Sequence, residues 1–163
     1  MNAKPCRGFT LIELIIVIVL LAVVSVYAAS RYVGKSSFDA QLMEEAVLSS
    51  LRLTQLRAMN RSSLCGRWIV NGNQAIDMAA SIVSGACTTT FPTNTSDSSF
   101  VDANEDGVSL TISSGNFIDF DSLGRPSQCS AASCTITIQG QSGTRRFICV
   151  NSEGGIFANS TSC

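Results

Sequence analysis

One carboxylate lies inside the longest apolar segment of the chain. Residues 9–29 carry a single charged side chain, that of Glu13, and a helix of this length can cross the ~30 Å hydrocarbon core of a bilayer. A charge inside a membrane is costly, so it usually has a partner and a function. The segment itself contains no cation, but cleavage after Gly8 would create a positive α-amino group on Phe9 of a neighbouring copy. Glu13 therefore predicts an element through which copies of the chain assemble.

The residues around this carboxylate resemble a known signature. The run Gly8-Phe9-Thr10-Leu11-Ile12-Glu13 follows a short basic leader and is similar to the prepilin motif of type IV pilins and type II secretion pseudopilins. The resemblance implies that a membrane prepilin peptidase cuts between Gly8 and Phe9 and that Phe9 becomes N-methylated. It also implies that Glu13 pairs with the N-terminus of a neighbouring subunit. An ordinary secretory signal would instead be cut after its apolar region.

Cysteine is the second residue type that could carry chemistry. Of the seven cysteines, Cys6 lies in the leader, and the other six form an even set: Cys65, Cys87, Cys129, Cys134, Cys149 and Cys163. In a domain exported to an oxidising compartment, such a set predicts up to three disulfides. A metal cluster is the alternative, but the chain has no Cys-x-x-Cys and no histidine. Many pairings are open, and the predicted turns favour sequence neighbours: Cys65 with Cys87, Cys129 with Cys134, and Cys149 with Cys163.

An acidic loop is the third candidate site. Asp102, Asn104 and Asp106 alternate ahead of Gly107, as oxygen ligands do in the first half of a calcium-binding EF-hand loop. The second half fails, because Ser113 stands where the bidentate glutamate is needed. Two interpretations stay open: a calcium site completed by other ligands, and a metal-free turn held by Asx hydrogen bonds, which we favour. No other cofactor is expected.

The sequence gives little support for catalysis or for nucleic-acid binding. The chain has no histidine, no glycine-rich phosphate loop and no nucleophile elbow, so the sequence does not predict an enzyme. Asp119 and Asp121 share one side of a predicted strand, but without a companion base they are interpreted as turn and surface residues. The net charge of −1 argues against a general nucleic-acid binder. The cations that such a role would use are Arg125, Arg145 and Arg146.

Four segments would position these residues: a leader over residues 1–8, a transmembrane and assembly helix over residues 9–29, an amphipathic continuation over residues 30–61, and an antiparallel β head with disulfides over residues 62–163. The continuation is predicted because an apolar stripe recurs at helical spacing, with no proline or glycine between Phe38 and Met59. Gly34 is a candidate bend. The stripe consists of Met43, Val47, Leu51 and Ala58, and the charges assigned to the solvated faces are Glu44, Glu45, Arg52, Arg57 and Arg61.

The head is predicted to be all β. The Asn71-Gly72-Asn73 turn favours a hairpin between residues 68–70 and 74–78, and residues 81–99 resemble a long surface loop. Short connections favour a single antiparallel sheet whose strands follow in chain order. The fold class is therefore α+β, with a long N-terminal helix packed on an antiparallel sheet. The remaining predicted strands are residues 108–112, 117–121, 135–139, 145–150 and 156–158.

The end of the head extends the resemblance. Residues 117–126 and Glu153-Gly154-Gly155-Ile156 are similar to the ending of minor pilins and H-type pseudopilins, and most of all to a minor subunit of the mannose-sensitive haemagglutinin pilus. This implies a minor pilin that assembles into or primes a pilus used for surface attachment. It also implies a bacterial inner-membrane protein with a periplasmic head, whose partners are other pilin subunits, the prepilin peptidase and the inner-membrane assembly machinery.

Two alternatives to this function remain. One is a minor pseudopilin of a type II secretion system. The other is a DNA-binding competence pilin, which is favoured least because residues 154–157 lack the arginines that related DNA-binding pilins carry near their C-terminus.

Overall fold

The computed structural model describes residues 9–32, 35–61, 64–83, 86–88, 91–93, 95–129 and 133–163. The chain divides into two compact units, Met1–Lys35 and Ser36–Cys163. The predicted leader, residues 1–8, and the predicted bend at Gly34 lie outside the described residues.

In its described residues, the first unit carries helix α1, Leu11–Tyr32. Its large apolar side chains are exposed, with exposed fractions between 43% and 76%. The segment Leu11–Ala28 has a mean hydropathy of 2.9 and is 0% buried. By length and composition, α1 can therefore cross a membrane.

The second unit begins its described structure with helix α2, Lys35–Met59. The predicted apolar stripe is confirmed, because Met43, Val47, Leu51 and Ala58 are all buried. Ser50 and Thr54, which the sequence pattern did not mark, lie on the same buried face. The Ser50 hydroxyl accepts a hydrogen bond from the Trp68 indole at 2.9 Å, so a polar group also fixes the helix on the head.

Nine strands follow in the part of the chain that the structure describes: β1 Leu64–Asn71, β2 Gln74–Val83, β3 Ala86–Thr88, β4 Val101–Asp102, β5 Ser109–Ile112, β6 Phe117–Phe120, β7 Cys134–Gln139, β8 Arg145–Val150 and β9 Ile156–Asn159. The predicted hairpin is confirmed, since β1 and β2 pair from Asn71 opposite Gln74 outward. Residues 81–99 are not only a loop: β2 continues to Val83, and β3 pairs with it.

The strands form two antiparallel sheets, and the expectation of one sheet in chain order was wrong. One sheet has the order β3-β2-β1-β6, with β4 also paired to β2, and the other has the order β5-β7-β8-β9. After β5 the chain crosses between sheets, so β6 pairs with β1, placing Trp68 opposite Ile118. A buried ion pair between Arg67 on β1 and Asp119 on β6 favours this neighbour.

The core lies between α2 and both sheets. Its largest buried side chains include Trp68, Phe120, Leu51 and Ile136. The approach of α2 to β1 is close, because a Cβ added at Gly66 would lie 2.7 Å from the Cβ of Ala58. A larger residue at Gly66 would push the helix off the sheet.

Candidate assembly site

Glu13 closes the start of α1. Thr10 precedes the helix, and its hydroxyl oxygen accepts a hydrogen bond from the Glu13 backbone N–H at 3.3 Å. In return, Glu13 Oε2 accepts hydrogen bonds from the Thr10 N–H at 2.9 Å and from its hydroxyl at 2.8 Å. This reciprocal pattern is a capping box, which satisfies backbone donors that a helix start leaves free. The Thr-x-x-Glu spacing was visible in the sequence, but its capping role was missed.

The cap leaves Glu13 accessible to another chain. Glu13 and the adjacent Phe9 are both exposed on the first unit. A carboxylate in the first turn of a helix is also stabilised by the helix dipole. The site can therefore hold a negative charge in place at the start of an apolar helix and offer it to a cation from a neighbour. Gly8, the other predicted cleavage residue, lies outside the described residues.

A second set of contacts fixes two loops of the head on α2. The Gln55 side-chain amide donates hydrogen bonds to the backbone carbonyls of Gly124 at 2.8 Å and Gly154 at 2.6 Å. These glycines lie in the two segments whose sequences carried the resemblance in the head. Sequence reasoning had no signal that one glutamine joins them.

Asp119 is a buried ion-pair residue, so its interpretation as a surface residue was wrong. Its oxygens accept hydrogen bonds from Arg67 Nε at 2.6 Å and Arg67 Nη2 at 2.8 Å. Gln128 adds a third donor at 3.1 Å, and the Arg67 guanidinium lies 3.9 Å from the centroid of the Phe117 ring. The pair joins β1 to β6 rather than performing chemistry. Asp121, in contrast, lies in a turn and is partly exposed.

Glu44 is buried, although its position on α2 had been assigned to a solvated face. Its Oε2 lies 3.9 Å from Arg146 Nε on β8, which is too far for a hydrogen bond. Burial raises the pKa of Glu44, while the charge of Arg146 lowers it and that of Glu45 raises it. The cost of desolvating the carboxylate therefore outweighs its attraction to the cation.

The end of α2 carries a tighter ion network. Arg57 Nη1 lies 2.9 Å from Asp77 Oδ2 and 2.8 Å from Asp97 Oδ1, and Arg61 Nη2 lies 3.4 Å from Asp77 Oδ2. The hydrogen bond from Arg57 is the main reason that the pKa of Asp97 falls to about 2. Burial raises the pKa of Asp77, against the effect of both arginines. These charges hold the segment before β4 on the helix.

The six cysteines outside the predicted leader are joined in three disulfides. The pairs are Cys65–Cys87, Cys129–Cys134 and Cys149–Cys163, the same sequence neighbours that the turns favoured. The first links β1 to β3, and the last ties the C-terminal residue to β8. Such links stabilise mainly by restricting the unfolded chain.

Comparisons with known proteins bear on both units. Residues 3–29 match the family model of the prokaryotic N-terminal methylation motif. Two crystal structures of the type IV minor pilin FimU from Pseudomonas aeruginosa PAO1 have a similar fold, with TM-scores of 0.53 and 0.54 at 14% identity. They cover 76% of this chain and 96% and 91% of the FimU chains. No curated protein is a significant match.

The chain has the N-terminal motif and the fold of a type IV pilin. The predicted fold class is thereby confirmed. The prediction that the chain is not an enzyme agrees with these comparisons, because both similar structures are of a type IV minor pilin.

The acidic loop folds as an Asx turn. Asp102 Oδ1 accepts hydrogen bonds from the Asn104 N–H at 2.9 Å and its side-chain amide at 2.8 Å, and Asp102 Oδ2 accepts one from Gln74 at 2.6 Å. The Gln74 bond is the largest cause of the lowered pKa of Asp102. Within the described ranges, no three acidic, histidine or cysteine side chains are grouped as metal ligands. This donor set suits a metal-free turn better than calcium.

Two of the three arginines considered for nucleic acid lie near acidic side chains. Arg125 lies 3.0 Å from Asp121, and Arg146 faces Glu44. Arg125 lies in a loop and Arg146 on β8, so the geometry does not add support for DNA binding.

Proposed function

We propose that this chain is a minor type IV pilin that is cut between Gly8 and Phe9, is N-methylated on Phe9, and joins or primes a pilus. The observation that carries the proposal is the first turn of α1. There, a capped and exposed Glu13 carboxylate begins a helix whose apolar surface is exposed along its length. An ordinary membrane anchor has no need for a carboxylate at this depth, whereas a subunit that pairs with the new N-terminus of its neighbour does.

The location and partners follow from the same features. The apolar helix α1 would hold the chain in the bacterial inner membrane, with the disulfide-linked head in the oxidising periplasm. Its partners are then the prepilin peptidase, the inner-membrane assembly machinery and other pilin subunits. The sequence resemblance of the head supports a pilus of the mannose-sensitive haemagglutinin type, which serves surface attachment.

A deletion strain tests this function against its alternatives. Loss of the chain should reduce sheared surface filaments and surface attachment, and the full chain supplied in trans should restore both. A Gly8→Leu variant should fail to restore them and should keep its leader, while Cys6→Ser, also in the leader, should behave as the wild type.

The other outcomes are equally specific. Normal filaments and attachment, with a loss of protein secretion, would make the chain a secretion pseudopilin. A loss of DNA uptake alone would make it a competence pilin. Either result would contradict the proposed role in attachment.

A further inference from the structure

A small apolar surface lies where α2 ends. Leu123 is 64% exposed, and Leu56 and Met59 are 57% and 50% exposed. Leu56 and Met59 are three residues apart and share one face of the helix. A Cβ added at Gly124, next to Leu123, would lie 3.0 Å from the sulfur of Met59, so loop and helix adjoin. We call Leu56, Met59 and Leu123 the apolar corner.

The loop that presents Leu123 is fixed before any partner arrives. Asp121 Oδ1 accepts hydrogen bonds from the backbone N–H groups of Leu123 at 2.9 Å and Arg125 at 2.8 Å. The Asp121 N–H donates to the Arg125 carbonyl at 3.0 Å, and Gly124 takes the φ of 77° that the turn requires. Gln55 then ties the Gly124 carbonyl to α2. An apolar side chain on such a loop loses little conformational entropy on docking.

Two charged side chains flank the apolar corner: Arg125 is two residues after Leu123, and Arg52 is about one helical turn before Leu56. The side chain of Arg125 is 51% exposed and paired with Asp121, and Arg52 is exposed on α2. An apolar centre with a polar rim is the usual arrangement of an interface hot spot. Single exposed apolar residues are common on monomers, but a rigid apolar group with this rim is not explained by the folding of the head.

The size of the surface limits its occupant. Three side chains expose much less than the ~800 Å² that each partner of a stable free complex buries. Docking therefore needs a partner that is already held nearby, which raises its effective concentration. In this chain, α1 is the feature that would hold subunits together in one membrane or filament.

We propose that the apolar corner docks on the head of an adjacent pilin-type subunit that is anchored by its own apolar N-terminal helix. This inference rests on the proposed function. It names the part of the head, separate from Glu13, through which neighbours recognise one another.

A matched pair of full-length variants tests the docking. Leu123→Asp places a charge in the apolar corner, while Ser122→Asp places the same charge on the adjacent exposed residue of the loop. We expect the ratio of sheared filament protein to membrane protein to fall at least tenfold for Leu123→Asp, about 1.4 kcal/mol. The ratio for Ser122→Asp should stay within about twofold of the wild type. Non-reducing electrophoresis checks that both retain oxidised heads, and Leu123→Ala replaces Leu123→Asp if the latter is degraded.

Photo-crosslinking separates failure of this surface from failure of the proposed function. p-Benzoyl-phenylalanine in place of Leu123, in intact membranes, should capture a protein that mass spectrometry shows to start with its own prepilin motif. Equal incorporation of Leu123→Asp and Ser122→Asp would overturn the docking proposal. So would adducts at position 123 that contain only proteins without an apolar N-terminal helix. If the wild type never enters filaments, the proposed function falls, while the membrane adduct still tests the surface.

Discussion

Glu13 has two physical roles at one carboxylate. It caps α1 through Thr10, and it supplies a negative charge inside an apolar segment. A glutamine at the same position of a capping box can still accept a hydrogen bond from the backbone, but it carries no charge. The two roles can therefore be separated by substitution.

We expect Glu13→Gln and Glu13→Val to impair incorporation into filaments to a similar extent. Both variants remove the charge that we propose pairs with a neighbouring N-terminus, and both should still insert into the membrane, since a charge leaves the lipid. Quantification of the sheared and membrane fractions measures the effect. If Glu13→Gln assembled normally and Glu13→Val did not, the cap rather than the charge would be the important role.

Asp119 and Asp121 are two positions apart but should respond differently to alanine. Asp119→Ala removes the carboxylate that pairs with the buried Arg67 guanidinium, which typically costs about 3–5 kcal/mol. Asp121→Ala removes a partly exposed pair and turn hydrogen bonds, worth about 1 kcal/mol. Denaturant unfolding of the purified chain in detergent measures both. Equal losses would show that the Arg67 guanidinium finds water when Asp119 is removed.

Glu44 should make the stability of the head depend on pH. Because burial raises its pKa in the folded state, the folded chain holds a proton that the unfolded chain releases above its ordinary pKa of about 4.3. This contribution is fully present below that value and is lost as pH rises through the raised pKa. Glu44→Gln should therefore unfold at a higher temperature than the wild type at neutral pH and at a similar temperature near pH 4. A lower unfolding temperature at neutral pH would mean that attraction to Arg146 outweighs burial.

At the scale of elements, patterns that are local in sequence predicted the structure correctly, whereas the pairing of distant strands was not predicted. The buried stripe of α2 follows from helical spacing, and the first hairpin follows from its Asn-Gly turn. The place of β6 beside β1 depends on Arg67 and Asp119, which are 52 positions apart. No hydrophobic periodicity in the sequence indicates a contact between residues so far apart. For the same reason, the burial of Asp119 was missed.

The candidate sites divide in the same way. The Thr10 to Glu13 cap and the cysteine pairs are local in sequence and were open to prediction. The Gln55 side chain donates hydrogen bonds to backbone carbonyls 69 and 99 positions away. Its bond to Gly124 holds the loop of Leu123 beside the end of α2, where the apolar corner lies. Surfaces of this kind can be recognised only in the folded structure.

We expect that calcium does not bind the loop from Asp102 to Gly107 and does not change the stability of the head. Its oxygens already accept hydrogen bonds from Gln74 and Asn104, so an ion would have to displace these donors. Thermal unfolding with millimolar calcium, and again with a chelator, should give the same midpoint, with magnesium as the control for ionic strength. A calcium-specific rise would show that the loop rearranges and recruits ligands beyond Asp102.

At the scale of the whole molecule, the two units have different surfaces. The unit Met1–Lys35 exposes an apolar helix, whereas the unit Ser36–Cys163 has a packed core and three disulfides. The first suits lipid or the apolar helices of neighbours, and the second suits an oxidising aqueous compartment. A subunit that moves from a membrane into a filament needs both surfaces in one chain.

The most direct test of this assignment is the intact mass and N-terminal peptide of the chain recovered from sheared surface filaments. We expect a chain that begins with a methylated Phe9 and has the six cysteines from Cys65 to Cys163 oxidised. A chain that starts after Ala29, without α1, or one that still carries residues 1–8 would contradict the proposal that Glu13 and α1 form the assembly element.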